Sequence, residues 1–199
     1  MSFSTYADLQ SQIANWLARD DLTNYIPDFI RLFECSAARR LKVRPTQTST
    51  TLTPSSGTAT LPTDFFGVVR ATWTGDPRVE LSYAHPTYLE GLFPTVPSGT
   101  PSFYTIEGTS LKVRPSDDTA VNLLYNQRTA AVESALNWLY TSHFDAYLFG
   151  SLAEANAFNK DVDPAGLWKA RRDEVFSEIL MADFNERGGM AVRVFGQTP

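Results

Sequence analysis

Residues 144–158 have the sequence FDAYLFGSLAEANAF, and the predicted fold depends mainly on this stretch. Its larger apolar side chains recur at helical spacing and form one stripe, made of Phe144, Tyr147, Leu148, Leu152, Ala155 and Phe158. Gly150 lies inside the stripe, where a glycine costs ~1 kcal/mol relative to alanine. We therefore expect Gly150 to permit a close contact with another helix. Ser142 and Asp145 have the spacing of a capping box and are expected to begin this helix.

Two further helices are expected near the start of the chain. The first begins at Thr5, whose spacing to Asp8 suits a capping box, and it stops around Asp20–Asp21. The second begins at Pro27, because a missing backbone donor does no harm in the first turn of a helix. Its apolar stripe consists of Ile26, Phe29, Ile30, Phe33, Ala37 and Leu41.

A fourth helix is expected after the short connection 160–163, so it should lie antiparallel to the helix of residues 144–158. Asp163 is the expected N-cap and Pro164 the expected first residue. The glycine pair at 188 and 189 is a favourable end for this helix. Its expected apolar face consists of Trp168, Val175, Phe176, Ile179 and Leu180.

The stretch between these helical parts is rich in Thr, Pro and Gly and contains short runs with high strand propensity. Runs 50–53 and 58–61 flank a Pro-Ser-Ser-Gly turn and predict one hairpin. Runs 103–106 and 111–113 flank a Glu-Gly-Thr turn and predict a second hairpin.

The sequence thus predicts an α+β fold, an antiparallel helical bundle built from the N- and C-terminal helices with a β-rich insertion in the middle. Residues 1–46 and 133–187 are expected to form the bundle. Residues 47–132 are the expected insertion, and residues 188–199 are an expected C-terminal tail. A chain whose two ends must meet across such an insertion is expected to act by fitting against other chains.

Composition narrows the classes of function. The chain has 199 residues and a net charge of −5, which argues against broad attraction to nucleic acid because that attraction needs basic surface. Cys35 is the only cysteine, so no intrachain disulfide can form, and we expect a small buried side chain on the second helix. No signal peptide is recognisable, and no apolar run approaches the length of a membrane-spanning helix. We expect no membrane association.

Two groups of residues are candidates for contacts with partners. The second helix is expected to end in Arg39, Arg40 and Lys42, where cations interact favourably with the negative end of the helix dipole. The alternative for this cluster is a contact with a phosphate or a partner protein. Val192, Val194 and Phe195 lie in the C-terminal tail. A terminus is disordered by default, but these apolar residues also suit strand addition or groove insertion on another chain.

Signals for catalysis are weak. His85 and His143 have no Cys or His at metal-ligand spacing, so we expect no metal site and no cofactor. Glu107 or Glu154 could pair with an Asp as the two carboxylates of a glycosidase. The alternative function is therefore a small carbohydrate-active enzyme or a glycan-binding module that uses the β-rich insertion. We expect that the protein is not an enzyme.

Several short motifs follow one another in an order that resembles the head-to-tail adaptor (connector) proteins of short-tailed bacteriophages. Each is weak alone, but their succession covers nearly the whole chain. The motifs are Tyr6-Ala7-Asp8-Leu9 with Ile13 and Trp16-Leu17, Leu22 with Ile26-Pro27-Asp28-Phe29-Ile30, Leu61-Pro62-Thr63-Asp64-Phe65, Gly99-Thr100-Pro101 with Tyr104 and Ile106, Asn137-Trp138-Leu139, and the run from Tyr147 to Ala155.

The resemblance implies a structural virion protein at the head–tail junction, assembled in the host cytoplasm. Such adaptors form a ring, typically dodecameric, beneath the portal protein. The ring extends the DNA channel and docks the tail nozzle or tail tube protein, while DNA passes through the lumen without specific binding. The C-terminal segment of such proteins commonly reaches along the portal, which makes Val192, Val194 and Phe195 the expected portal contacts.

Overall fold

The computed structural model describes residues 4–19 and 21–186, and its fold is α+β, as predicted. The described residues up to Pro45, together with those from Thr129 to Glu186, form one compact unit, here called the helical unit. Thr46–Arg128 form a second, the β unit. In chain order the helices and strands are Tyr6–Leu17 (α1), Ile26–Arg40 (α2), Gln47–Leu52 (β1), Thr58–Thr60 (β2), Phe65–Trp73 (β3), Val79–Glu80 (β4), Ser82–Tyr83 (β5), Pro86–Leu92 (α3), Phe103–Glu107 (β6), Ser110–Arg114 (β7), Val121–Gln127 (β8), Trp138–Ser142 (α4), Phe144–Phe158 (α5) and Val162–Glu186 (α6).

The start of α1 agrees with the sequence prediction, and α2 begins at Ile26, one residue before the predicted Pro27. The backbone N–H of Asp8 donates to Thr5 Oγ1 at 3.1 Å, and the backbone N–H of Thr5 donates to Asp8 Oδ2 at 3.0 Å. This reciprocal pair is the predicted capping box, and it satisfies two backbone donors that a helix N-terminus leaves without partners. Pro27 lies in the first turn of α2, where it removes no helical hydrogen bond.

The predicted cap of α5 is wrong, because Ser142 belongs to the preceding short helix α4. Asn137 caps α4, since its Oδ1 accepts from the backbone N–H of Tyr140 at 3.0 Å. His143 stands at the N-cap position of α5 and makes no side-chain capping bond. Ser142 and Asp145 have the spacing of a capping box, but the capping residue in this region is Asn137, five positions before Ser142, and the helix that it caps is α4.

Asp163 was predicted to cap α6, and this is also wrong, because the helix begins at Val162, two residues before the predicted first residue Pro164. Lys160 takes a positive φ of 63°, which turns the chain after α5. The carbonyl of Asp161 then accepts from the backbone N–H of Ala165 at 3.1 Å and opens the helix. Asp163 lies in the first turn, where its negative charge still favours the positive end of the helix dipole.

Phe33 of α2 is the centre of the core of the helical unit. Its side chain is fully buried and contacts the ring of Tyr147 on α5 edge to face, with 4.9 Å between centroids. The ring of Phe176 on α6 lies 6.1 Å away on another side. One aromatic side chain thus joins three helices, which come from both ends of the chain.

Gly150 on α5 packs directly against the Phe33 ring. A Cβ built on Gly150 would overlap ring atoms of Phe33, so only glycine allows this approach. The prediction that Gly150 permits a close helix contact is confirmed. The fully buried Leu9 and Ile13 of α1, together with Ile26 and Ile30 of α2, extend the same core.

We expect Gly150→Ala to lower the free energy of unfolding by about 1–3 kcal/mol, because overpacking a dense core forces shifts of this cost. Urea denaturation followed by circular dichroism measures the change. Gly166→Ala on α6 is the matched control, since an added Cβ there meets no atom within 4 Å. The control should be neutral or stabilising, because alanine favours helix. Equal effects of the two substitutions would contradict the close contact.

A buried polar network fastens the chain where it returns to the helical unit. The hydroxyl of Tyr147 donates to Glu34 Oε1 at 2.9 Å and accepts from Asn137 Nδ2 at 2.6 Å. Glu34 Oε1 also accepts from the backbone N–H of Val132 at 2.7 Å, and Asn137 Nδ2 donates to the carbonyl of Ala130 at 2.8 Å. Burial raises the pKa of the Tyr147 hydroxyl well above its ordinary value, and the Glu34 carboxylate adds to this effect. The hydroxyl therefore remains a donor.

Removing this hydroxyl with Tyr147→Phe is expected to lower the free energy of unfolding by about 1–3 kcal/mol, because Glu34 and the buried Asn137 each lose one hydrogen-bond partner. Chemical denaturation of the full chain measures the loss. Tyr88→Phe serves as control, because Tyr88 is exposed and its change should stay within about 0.5 kcal/mol. A Tyr147→Phe protein as stable as the control would show that the network contributes nothing.

The β unit contains two four-stranded sheets, with the strand orders β1-β8-β3-β4 and β2-β7-β6-β5. The strand pairs are antiparallel except for β5 with β6. Alternate side chains of β8 and β7 point into one core, which the two sheets share. Fully buried positions along these two strands are Val121, Leu123, Leu111 and Val113.

One predicted hairpin is present and the other is wrong. Strands β6 and β7 pair antiparallel around Gly108, whose φ of 57° suits glycine. Strands β1 and β2 do not pair with each other, since β1 pairs with β8 and β2 with β7. The turn between them is tight, because Ser55 and Thr58 exchange backbone hydrogen bonds of 2.8 and 3.0 Å. That turn moves the chain from one sheet to the other.

Candidate interaction surfaces

The three cations at the C-terminal end of α2 have different environments. Arg40 Nη1 lies 2.5 Å from Asp173 Oδ1 on α6, and its guanidinium lies 4.9 Å from the centre of the Phe176 ring. Arg40 thus joins α2 to α6 within the subunit. Arg39 and Lys42 are exposed. A contact of this cluster with a partner remains a prediction.

The pKa of Asp173 shows how the ion pair with Arg40 makes the stability of the fold depend on pH. Burial works to raise the pKa of the Asp173 carboxyl, but hydrogen bonds from Arg40 and Arg172 outweigh it, so its pKa lies below the ordinary value. A lowered pKa in the folded state means that the ionised carboxylate stabilises the fold above its unfolded pKa. This contribution is lost as the pH falls through the folded pKa.

Arg40→Ala is expected to lower the free energy of unfolding by about 1 kcal/mol at neutral pH, through loss of the ion pair and the cation–π contact. Arg39→Ala is the control, and its effect should be close to zero. Urea denaturation at neutral pH and at about pH 3 measures both. The difference between the variants should shrink as the pH falls below the ordinary pKa of an aspartate, because the contribution of the ion pair is lost as the pH approaches the lowered pKa of Asp173. A difference that persists unchanged would mean that Asp173 does not contribute to it.

The predicted portal contacts Val192, Val194 and Phe195 lie outside the residues that the structure describes. Cys35 was expected to be buried on α2, and this is wrong, because its side chain is exposed. Its position falls beside the buried stripe that Phe33 and Ala37 define.

An exposed aromatic cluster lies where α1, α5 and α6 meet, and we call it the Trp16 cluster. The ring of Trp16 lies 5.4 Å from that of Trp168 and 6.4 Å from that of Phe149, both edge to face. Phe149 and Trp168 stack at 5.8 Å. Trp16 is 47% exposed, although Trp is usually largely buried. Aromatic residues that remain accessible are typical of protein interfaces.

A second exposed aromatic group combines Tyr25 with Phe158 at the end of α5. Their ring centres are 5.4 Å apart, and Phe158 also lies 5.5 Å from Phe29. Phe158 is 56% exposed, so half of a large apolar ring is open to solvent. It belongs to the predicted stripe of α5 but not to the buried core.

A third apolar surface runs along the last turns of α6. Leu180 was predicted to lie on the buried face, and this is wrong, because only Val175, Phe176 and Ile179 of that set are buried together. Leu180, Met181 and Phe184 are exposed. Sequence reasoning missed Met181 and Phe184. The signal was available, since the spacing of 180, 181 and 184 places them on one face of a helix.

The carboxylates considered for catalysis each face a cation. Glu107 Oε2 lies 2.5 Å from Lys112 Nζ on the neighbouring strand, and Glu154 Oε1 lies 3.9 Å from Arg172 Nη1 on α6. No group of His, Cys, Asp and Glu suited to a metal ion is present among residues 4–19 and 21–186. Within the same ranges, no helix combines the length and apolarity needed to cross a bilayer.

Comparison with known proteins gives the class of the molecule. The SU10 adaptor protein family matches residues 4–194. The match covers nearly the whole sequence and includes both the helical unit and the β unit. This chain belongs to the SU10 adaptor protein family, which confirms the resemblance that the sequence motifs indicated. No curated protein matches the chain.

Proposed function

We propose that this chain is a head-to-tail adaptor, a structural subunit of a phage virion. Its copies form a ring beneath the portal protein, a dodecamer in the arrangement that the resemblance implies. The ring extends the DNA channel and docks the tail nozzle or tail tube. In this proposal the helical unit acts as an antiparallel bundle and the β unit as its insertion.

The observation that carries the proposal is the family match over residues 4–194, since it spans both compact units. An adaptor role needs no catalytic centre. The glycan-directed alternative has no specific support, because Glu107 and Glu154 are each engaged by a cation.

The exposed surfaces of the helical unit support assembly with other chains. In a ring, one face of a subunit must fit a different face of its neighbour. The Trp16 cluster and the exposed stripe of Leu180, Met181 and Phe184 give the helical unit separate apolar surfaces of the kind that a heterologous contact uses. A soluble monomer rarely exposes several large apolar side chains on one helix without a use for them.

The acidic character of the chain suits a DNA conduit. The net charge of −5 limits the counterion release through which basic surfaces hold phosphates. A channel wall poor in Lys and Arg therefore lets DNA pass without retaining it.

The proposal predicts that a variant lacking residues 192–199 folds normally but binds the portal at least about tenfold more weakly, a loss of ~1.4 kcal/mol. Co-sedimentation with cognate portal rings measures binding, and light scattering after size exclusion measures ring formation. Circular dichroism checks the fold. If the truncated protein unfolds, the tail belongs to its own core.

Arg39→Glu with Lys42→Glu tests the basic cluster in the same assay. Loss of portal binding at unchanged stability would assign a partner contact to the cluster. Unchanged portal binding would mean that the cluster acts only by stabilising the C-terminal end of α2. A full-length chain that never binds the portal, with or without ring formation, would overturn the adaptor function itself.

A further inference from the structure

A cavity of about 510 Å³ opens in the helical unit beside the last three turns of α6. Its apolar wall includes Trp138, Val175 and Ile179. The indole N–H of Trp138 has no hydrogen-bond acceptor among the described residues. The volume lies within the range of sites that hold a ligand or a short segment of chain.

Carboxylates surround this apolar wall. Asp145, Glu178, Asp183 and Glu186 all line the cavity, against the single arginine Arg44. Arg44 is already engaged, because it forms an ion pair with Glu186 and its Nε lies 3.3 Å from Asp183 Oδ1.

Among the residues that the structure describes, two of these carboxylates have no charged partner. Within residues 4–19 and 21–186, Asp145 accepts one hydrogen bond, from the backbone N–H of Ala146, and Glu178 forms no ion pair. An apolar surface with two such carboxylates is complementary to one cation flanked by apolar side chains.

The chain itself supplies a segment of this character. α6 reaches the rim of the cavity at Glu186, and the next residues are Arg187, Gly188 and Gly189. Residues 190–195 follow with the sequence MAVRVF, which contains one arginine, Arg193, and no acidic residue. Two consecutive glycines permit the backbone conformations that reverse a chain after a helix.

The lengths also agree. From Glu186 back to Val175, α6 covers about 17 Å at 1.5 Å per residue. Six extended residues cover about 20 Å. A segment that reverses at the glycine pair and runs back along α6 therefore spans the cavity.

We propose that residues 190–195 dock in this cavity of their own chain, with the Arg193 guanidinium facing Asp145 and Glu178. The apolar side chains of the segment contact the wall of Trp138, Val175 and Ile179. A three-residue connection gives the segment a local concentration of order mM, which favours its own subunit over another copy. If the proposed function holds, portal and cavity compete for the segment, and docking covers its apolar residues until a portal is present.

Limited trypsin digestion of the full chain without portal tests the docking. All arms carry Arg187→Gln, so that Arg193 is the cleavage site in the C-terminal segment, and mass spectrometry follows release of residues 194–199. Asp145→Asn with Glu178→Gln should speed this release about tenfold, because the docked form is lost. Asp163→Asn with Glu174→Gln is the matched control, since these acids lie on α6 outside the cavity lining. The control should release residues 194–199 at the same rate as the parent, which carries Arg187→Gln alone.

Equal cleavage rates in the cavity variant and the parent would overturn the proposal. Protection that grows with protein concentration would also overturn it, because the segment would then dock on a second copy. The assay contains no portal, so a failure here leaves the adaptor function untouched. A failure of portal binding likewise leaves this result intact.

Discussion

The contact between the Phe33 ring and the backbone of Gly150 is the constraint on which the helical unit depends. It brings α2 and α5 closer together than a side chain at position 150 would allow. The same ring contacts Tyr147 and Phe176, so the position of α6 follows from the same packing. Close packing of this kind transmits any change of volume to the neighbouring helices.

The polar network of Glu34, Tyr147 and Asn137 has a different task. Packing alone does not fix where the chain re-enters the helical unit after the β unit. Glu34 and Asn137 do this by hydrogen bonding to the backbone at Val132 and Ala130. Because the buried groups of the network satisfy one another, the entry point is specific as well as stable. The Trp16 cluster and the exposed surfaces of α6 therefore lie on helices that are joined to one another by this packing and by these hydrogen bonds.

The sequence predicted those features that depend on local rules. The capping box of Thr5 and Asp8, the close approach at Gly150 and the hairpin around Gly108 follow from residues a few positions apart. The failures concern choices made in space. Ser55–Thr58 has the chemistry of a turn, but the partner strands of β1 and β2 are settled by long-range packing. Leu180 fits a helical stripe, yet α6 is long enough to leave part of its apolar surface outside the core.

The candidate surfaces were harder to predict for the same reason. The sequence identified the cations 39, 40 and 42 but could not distinguish Arg40, which is held by Asp173 and Phe176, from its neighbours. The Trp16 cluster is assembled from three helices, so no spacing along the chain reveals it.

Native-state hydrogen exchange at low denaturant concentration tests the central claim most directly, namely that helices from both ends of the chain form one cooperative frame. The account predicts that the slowest amides of α2, α5 and α6 exchange through one common opening, with the same free energy and the same denaturant dependence. Amides of α2 that open at a clearly lower free energy than those of α5 would contradict it.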